Sequence, residues 1–271
     1  MHFLGIAPPK IKHLATCLLG SVAMLSAGMA QAHFQMMIPS DDMVTQSESR
    51  KLNLDLMFWH PFEGYGMNML KPLQFGVLAA GRKTDLMSSL KAVKINDVDG
   101  GKFDGYKVNY KIKRPGDQIF YLQSKAYRGD GDESFVVHYT KVIVNAFGME
   151  EGWDKELGLK TEIMPLTRPY GLYTGNVFQG VVKVKGKPVP FSTVELEYYN
   201  QDGKRDVEAD PMITQVVKTD ANGVFTYAMP KAGWWGFSAM NSDDENMTDN
   251  GKEYPVELGA VFWVKTHDME K

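Results

Sequence analysis

Three histidines far apart in the chain carry the side chains best suited to chemistry: His33, His60 and His138. His33 stands directly after Ala30-Gln31-Ala32, a small-x-small cleavage signature. Cleavage there makes it the first residue, with two nitrogens able to chelate one ion, the imidazole and an α-amine that ordinarily titrates near about 8. His60 ends the run Leu52-Asn53-Leu54-Asp55-Leu56-Met57-Phe58-Trp59-His60. Strand alternation puts it on the same face as Leu52, Leu54, Leu56 and Phe58, which predicts an inward imidazole at the rim of a strand that Pro61 stops. His138 repeats the pattern, sharing a face with Val136, Thr140, Val142 and Val144. After His60 the chain reads Phe62-Glu63-Gly64-Tyr65-Gly66-Met67-Asn68-Met69, which adds a carboxylate and two thioethers, Met67 and Met69. Imidazoles joined by thioether sulfur suit a borderline or soft transition metal.

Each of these residues has a plainer use. A core histidine bonded to backbone, with methionines as packing filler, fits the same pattern. His267, in the tail Thr266-His267-Asp268-Met269, reads as solvated. Asp243-Asp244-Glu245 with Asp249, and Asp130-Gly131-Asp132-Glu133, lack calcium-loop spacing and read as solvated turns. Trp59, Trp234 and Trp235 are expected in cores. There is no G-x-S-x-G, P-loop, H-E-x-x-H or C-x-x-C, so a non-enzymatic role is expected.

The elements that must position these residues begin with a leader. Lys10, Lys12 and His13 precede an apolar run over 14–25, which ends in small residues and the cleavage signature. Residues 1–32 therefore read as a signal peptide that exports the chain. Their removal takes two of the 30 basic residues, none of the 33 acidic ones and the lone Cys17, leaving net charge −5 and no disulfide. An acidic mature chain disfavours nucleic acid and anionic membrane surfaces as partners. No later run of 18 apolar residues exists, so no membrane insertion of the mature chain is expected.

The rest reads as all-β: short runs rich in Val, Tyr and Phe, punctuated by Gly and Pro, with one short helix expected over 85–90. Two β-sandwich domains are expected, 33–168 with the histidine cluster and 169–271, breaking near Pro165 to Tyr170. The second resembles transthyretin-like or carboxypeptidase-regulatory-like sandwiches, in which Gly186-Lys187-Pro188-Val189 and Thr219-Asp220-Ala221-Asn222-Gly223-Val224-Phe225 are hairpin turns. Asn222-Gly223 supplies the positive φ that a tight hairpin needs.

A longer set of motifs carries a family resemblance. Ala32 to Ser40, His60-Pro61-Phe62-Glu63-Gly64 with Met67-Asn68-Met69, and His138-Tyr139-Thr140-Lys141-Val142 resemble the DUF4198 proteins. So do Gly171 to Asn176 and Gly233-Trp234-Trp235-Gly236-Phe237. The resemblance implies a bacterial periplasmic protein. Through its NikK-like members it implies a Ni(II) or Co(II) binder that supports an inner-membrane transporter of the energy-coupling-factor type. Two alternatives stand beside it. One is a Cu(II) protein with a histidine brace, a chaperone or monooxygenase-like; the other is a structural, adhesin-like sandwich.

Overall fold

The structure, a computed structural model, describes residues 34–129 and 132–269. The expected leader over 1–32 and His33 lie outside the described residues. In chain order the first strands are β1 (Phe34–Pro39), β2 (Met43–Val44), β3 (Lys51–His60), β4 (Tyr65–Met67), β5 (Gln74–Ala79), β6 (Arg82–Asp85), β7 (Lys91–Asn96), β8 (Lys102–Lys111), β9 (Gly116–Gln123) and β10 (Phe135–Ala146). There follow β11 (Thr161–Pro165), β12 (Leu172–Tyr173), β13 (Val177–Val184), β14 (Lys187–Pro188), β15 (Thr193–Tyr198), β16 (Gln215–Lys218), β17 (Val224–Ala228), β18 (Gly233–Ser242), β19 (Met247–Asp249), β20 (Lys252–Tyr254) and β21 (Val256–His267). The helix expected over 85–90 is a single 3-10 turn, Met87–Ser89, with nothing buried on it to lengthen it. Among the described residues no helix is long and apolar enough to cross a membrane.

One ten-stranded sheet organises the chain, in the order β16-β15-β18-β21-β10-β9-β5-β6, with β12 added on β21 and β2 on β10. A five-stranded sheet, β1-β3-β8-β7 with β4 on β3, lies against it; a four-stranded sheet, β11-β13-β14 with β17 on β13, forms the third group. β10 and β21 pair in parallel at the centre of the large sheet. Parallel neighbours cannot be joined by a tight turn. The long crossover over 147–255 makes this connection, and it carries the whole four-stranded sheet.

The alternation read in β3 and β10 sorts residues between two cores. The first holds Phe34 and Met36 of β1, Leu52, Leu54, Leu56 and Phe58 of β3, and Val142 and Val144 of β10. The second holds Val137, Tyr139 and Ile143 of the same β10, with Phe178 and Val182 of β13 and Phe237 of β18. β21 divides in the same way, Val261 and Trp263 on one side, Ala260 and Phe262 on the other. The expected break near Pro165 to Tyr170 therefore falls inside a structure whose central sheet takes strands from both sides of it.

Of the two expected hairpins, one forms. β13 and β14 pair across Lys185-Gly186, where Gly186 has φ +74°. The Thr219 to Phe225 turn instead joins β16, on the edge of the ten-stranded sheet, to β17 in the four-stranded sheet. Its geometry is tight, since Asp220 Oδ1 accepts from the Asn222 and Val224 amides and Gly223 has φ +78°. Its flanking strands serve different sheets, so this is a corner of the sandwich rather than a hairpin.

Candidate metal centre

β1 sets the framework of the candidate site. It runs antiparallel to β3, with Phe34 opposite Trp59 and Gln35 opposite Phe58. It also meets side chains of the ten-stranded sheet: the Gln35 carbonyl accepts from the Thr140 hydroxyl at 3.2 Å and from Trp263 Nε1 at 3.3 Å. The two chains continue in step, and the Asn145 amide donates to the Asp42 carbonyl at 2.9 Å. Phe34 is fully buried, edge-to-face with Trp263 at 5.9 Å.

His60 is buried at the end of β3, on the face of Leu52 to Phe58, as the alternation predicts. Its carbonyl accepts from the Gly64 amide at 2.9 Å, which closes the turn after Pro61. Nδ1 lies 3.6 Å from Glu63 Oε2, an electrostatic contact rather than a hydrogen bond. Burial pushes the imidazole below its ordinary pKa, because removing solvent penalises the charged form. A neutral imidazole is the form that binds metal.

His138 is buried on β10, facing the first core. Its ring stacks on Tyr127, with centroids 6.0 Å apart and planes 15° apart, and stands 5.6 Å from Phe58. Ser124 holds its backbone on both sides: the His138 amide donates to Ser124 Oγ at 2.8 Å, and the Ser124 amide donates to the His138 carbonyl at 2.8 Å. The register places His138 beside Gly259 of β21. A Cβ at Gly259 would stand 2.5 Å from His138 Cδ2 and 3.1 Å from Nε2. The Cδ2–Nε2 edge of the ring therefore lies over the glycine, and Nδ1 is the nitrogen turned away from it. Met240 Sδ approaches the same point at 3.1 Å.

The two methionines differ. Met69 is buried, and its sulfur lies 3.5 Å from Gln35 Nε2, an amide that also donates to the Met57 carbonyl at 3.0 Å. Met67 of β4, half-buried, pairs with Phe58 of β3. Between them opens a cavity of about 260 Å³, lined by Gln35, Phe58, Met67, Met69, Ser124 and Tyr127. It borders the aromatic rings that enclose His138. Burial and nearby carboxylates hold the Tyr127 hydroxyl far above the usual phenol range.

Sequence reading nominated His33, His60, His138, Met67 and Met69. His33 lies outside the described residues. Among the described residues no group of three or more His, Cys, Asp or Glu side chains is arranged to hold a metal ion. Gln35, Ser124, Tyr127, Met240 and Gly259 were not singled out. Gln35 carried a usable signal, a lone amide in the apolar run Phe34 to Pro39. Gly259 carried none, because its role depends on parallel pairing with a strand more than a hundred residues away.

A correction concerns His267. It is not a solvated tail residue but the last residue of β21, and its Nε2 meets both carboxylate oxygens of buried Asp42 at 2.9 and 3.0 Å. The acidic turn over 243–245 is likewise tied down, by Lys160 on Asp243 and Glu245 and by Lys185 on Asp244. A further acid is buried near the His60 turn. Glu197 accepts from the Phe62 amide at 3.3 Å and from the Thr214 hydroxyl, and burial raises its carboxyl to about 7.

Solved structures that match over most of this chain are distant from it. Salmonella α-2-macroglobulin reacted with methylamine matches at 13% identity and TM-score 0.23, over 86% of this chain and 15% of that one. The D00-D0 domain of intimin matches at 10% identity and TM-score 0.19, over 84% and 99%. A putative carbohydrate binding protein from Bacteroides uniformis matches at 10% and 0.23, over 84% and 98%. This chain thus spans only a small part of the macroglobulin. No curated protein matches it. The sequence profile of a domain of unknown function, DUF4198, matches residues 30–243, a span that contains His60, His138, both methionines and the Glu197 contact. The chain belongs to the DUF4198 family.

Proposed function

We propose that this is an exported, non-enzymatic periplasmic protein that binds Ni(II) or Co(II). In this reading it supports uptake of that ion by an energy-coupling-factor-type transporter, as the NikK-like resemblance implies. One observation carries the reading: β1, the strand that follows His33 directly, runs between the strands of the other two histidines. Phe34 pairs with Trp59, the residue before His60. Gln35 is bonded to Thr140, two residues beyond His138. Both imidazoles are buried on faces turned to the same core. In this reading the His33 amine and imidazole, His60 and Nδ1 of His138 hold the ion, with Glu63 orienting His60 in the manner of a carboxylate behind a metal-bound imidazole.

Metal analysis of protein purified without added metal, followed by calorimetric titration with nickel, tests this. His60→Ala and His138→Ala should each weaken binding about tenfold or more. One residue added before His33 should weaken it as well, and His267→Ala should leave it unchanged. A mature protein that binds neither nickel nor cobalt ends the reading.

A second reading, copper, is favoured by thioether sulfur: Met67 and Met69 line the cavity that Tyr127 borders, and Met240 Sδ meets the point over Gly259 where the His138 ring lies. Soft sulfur selects Cu(I), and Cu(II) outcompetes Ni(II) at nitrogen sites. Competition between equimolar copper and nickel separates the two.

A further inference from the structure

The turn that follows His60 is also held from the far half of the chain. The Asn200 amide donates to the Pro61 carbonyl at 3.0 Å, and Asn200 Nδ2 donates to the Phe62 carbonyl at 3.0 Å. The Phe62 amide donates to Glu197 Oε2 at 3.3 Å. Three backbone groups within two residues of His60 are thus held by two side chains and one amide more than 130 residues away. Both holding residues are buried, Glu197 with 2% of its surface exposed and Asn200 with 3%. They are fixed in turn. Thr214 donates to the second Glu197 oxygen, and Asn200 exchanges two bonds with Arg205, Nδ2 to its carbonyl at 3.0 Å and the Arg205 amide to Oδ1 at 3.1 Å.

We infer that Glu197 and Asn200 are positioning residues that clamp the Pro61-Phe62 turn and so fix where the His60 imidazole stands. The inference rests on the metal reading above, and it assigns the second half of the chain a share in that site. A buried acid is an expensive way to cap one amide, which water or an Asn would satisfy. A rigid turn is worth that cost where a ligand must be held within about half an ångström of its productive position. Pro61 removes one torsion, the Gly64 amide closes the turn onto the His60 carbonyl, and the clamp fixes the two residues between.

Cobalt is the probe, because its absorption spectrum reports coordination geometry directly. In the full mature chain, Glu197→Ala and Asn200→Ala should each weaken Co(II) binding about tenfold, the range expected for residues that orient a ligand. Each should also change the Co(II) spectrum. Glu197→Gln, which keeps an oxygen for the Phe62 amide, should restore both. If Glu197→Ala does not fold, Asn200→Ala and Glu197→Gln decide. Folded variants that bind Co(II) with unchanged affinity and spectrum overturn the clamp and leave the metal reading standing, as does a loss of melting temperature with no spectral change. Failure of the unsubstituted protein to bind Co(II) or Ni(II) removes both together.

Discussion

The His138 ring rests on Gly259 because no other residue leaves room for it. Gly259→Ala forces a methyl to 2.5 Å from Cδ2, inside any tolerated contact, with a β-sheet backbone behind it that cannot retreat. We expect about 1–3 kcal/mol of destabilisation from overpacking, together with weaker nickel binding, checked by melting and titration of the same variant. Lys141 poses a different problem at the same scale. Its ammonium is buried beside Glu162 at 2.7 Å, and Glu162 also accepts from the Leu157 and Gly158 amides. Lys141→Met strands a buried carboxylate and should cost about 3–5 kcal/mol, whereas pairing it with Glu162→Gln should recover much of that. Chemical denaturation of the single and double variants separates the outcomes. Glu197 has a pH signature. Its folded pKa, about 7, is raised above the ordinary carboxyl value, so its contribution to stability is present at low pH and is lost as pH rises through about 7. Glu197→Gln should therefore gain on the wild type between about pH 5 and pH 8 in thermal melts. None of these three roles could be read from the sequence, because each depends on partners brought together by sheet pairing across long stretches of chain.

Alternation along β3 and β10 was legible, and the structure follows it. Leu52, Leu54, Leu56, Phe58 and His60 are buried, while Lys51 and Asn53 are exposed. What alternation could not supply was the neighbour of each face. Trp59 is buried as expected of a core aromatic, and Met57 on the same side of β3 is buried too, because that side has neighbours of its own, with Phe103 edge-to-face on Trp59 at 6.1 Å and Tyr199 packed against the same core. The Asn222-Gly223 turn was legible as a turn but not as a corner, since turn chemistry specifies local φ and not which sheet the next strand joins. His60 at its strand end gives an expectation about pH. Its pKa lies below the ordinary value through burial, so the imidazole is neutral across the neutral range and takes up its proton only in acid. Nickel affinity should hold at about pH 7.5 and fall steeply by about pH 5.5, as protons compete for the imidazoles. Calorimetry at the two pH values checks this, and equal affinity would exclude a histidine-dominated site.

Two β-sandwiches were expected and two cores are present, but they share the ten-stranded sheet, and strands from both expected segments contribute to each core. The all-β class was legible from punctuation and composition. The sharing was not, because it arises from the parallel pairing of β10 with β21, which leaves no local mark. A sheet that runs through both cores should make them melt together. We expect a single calorimetric transition whose van't Hoff and calorimetric enthalpies agree; two resolved transitions would show that the cores are independent. The place of β21 has one more consequence. This strand, the last described, sits in the middle of the ten-stranded sheet, flanked by β18 and β10 and capped by β12, and it sends Trp263 into one core and Phe262 into the other. Neither core can therefore be completed until β21 has joined the sheet. Its decisive contacts join residues at opposite ends of the sequence, which makes folding slow and postpones it. Delay of that kind leaves both cores open together, so the same strand that locks the finished molecule also sets the moment at which either half can close.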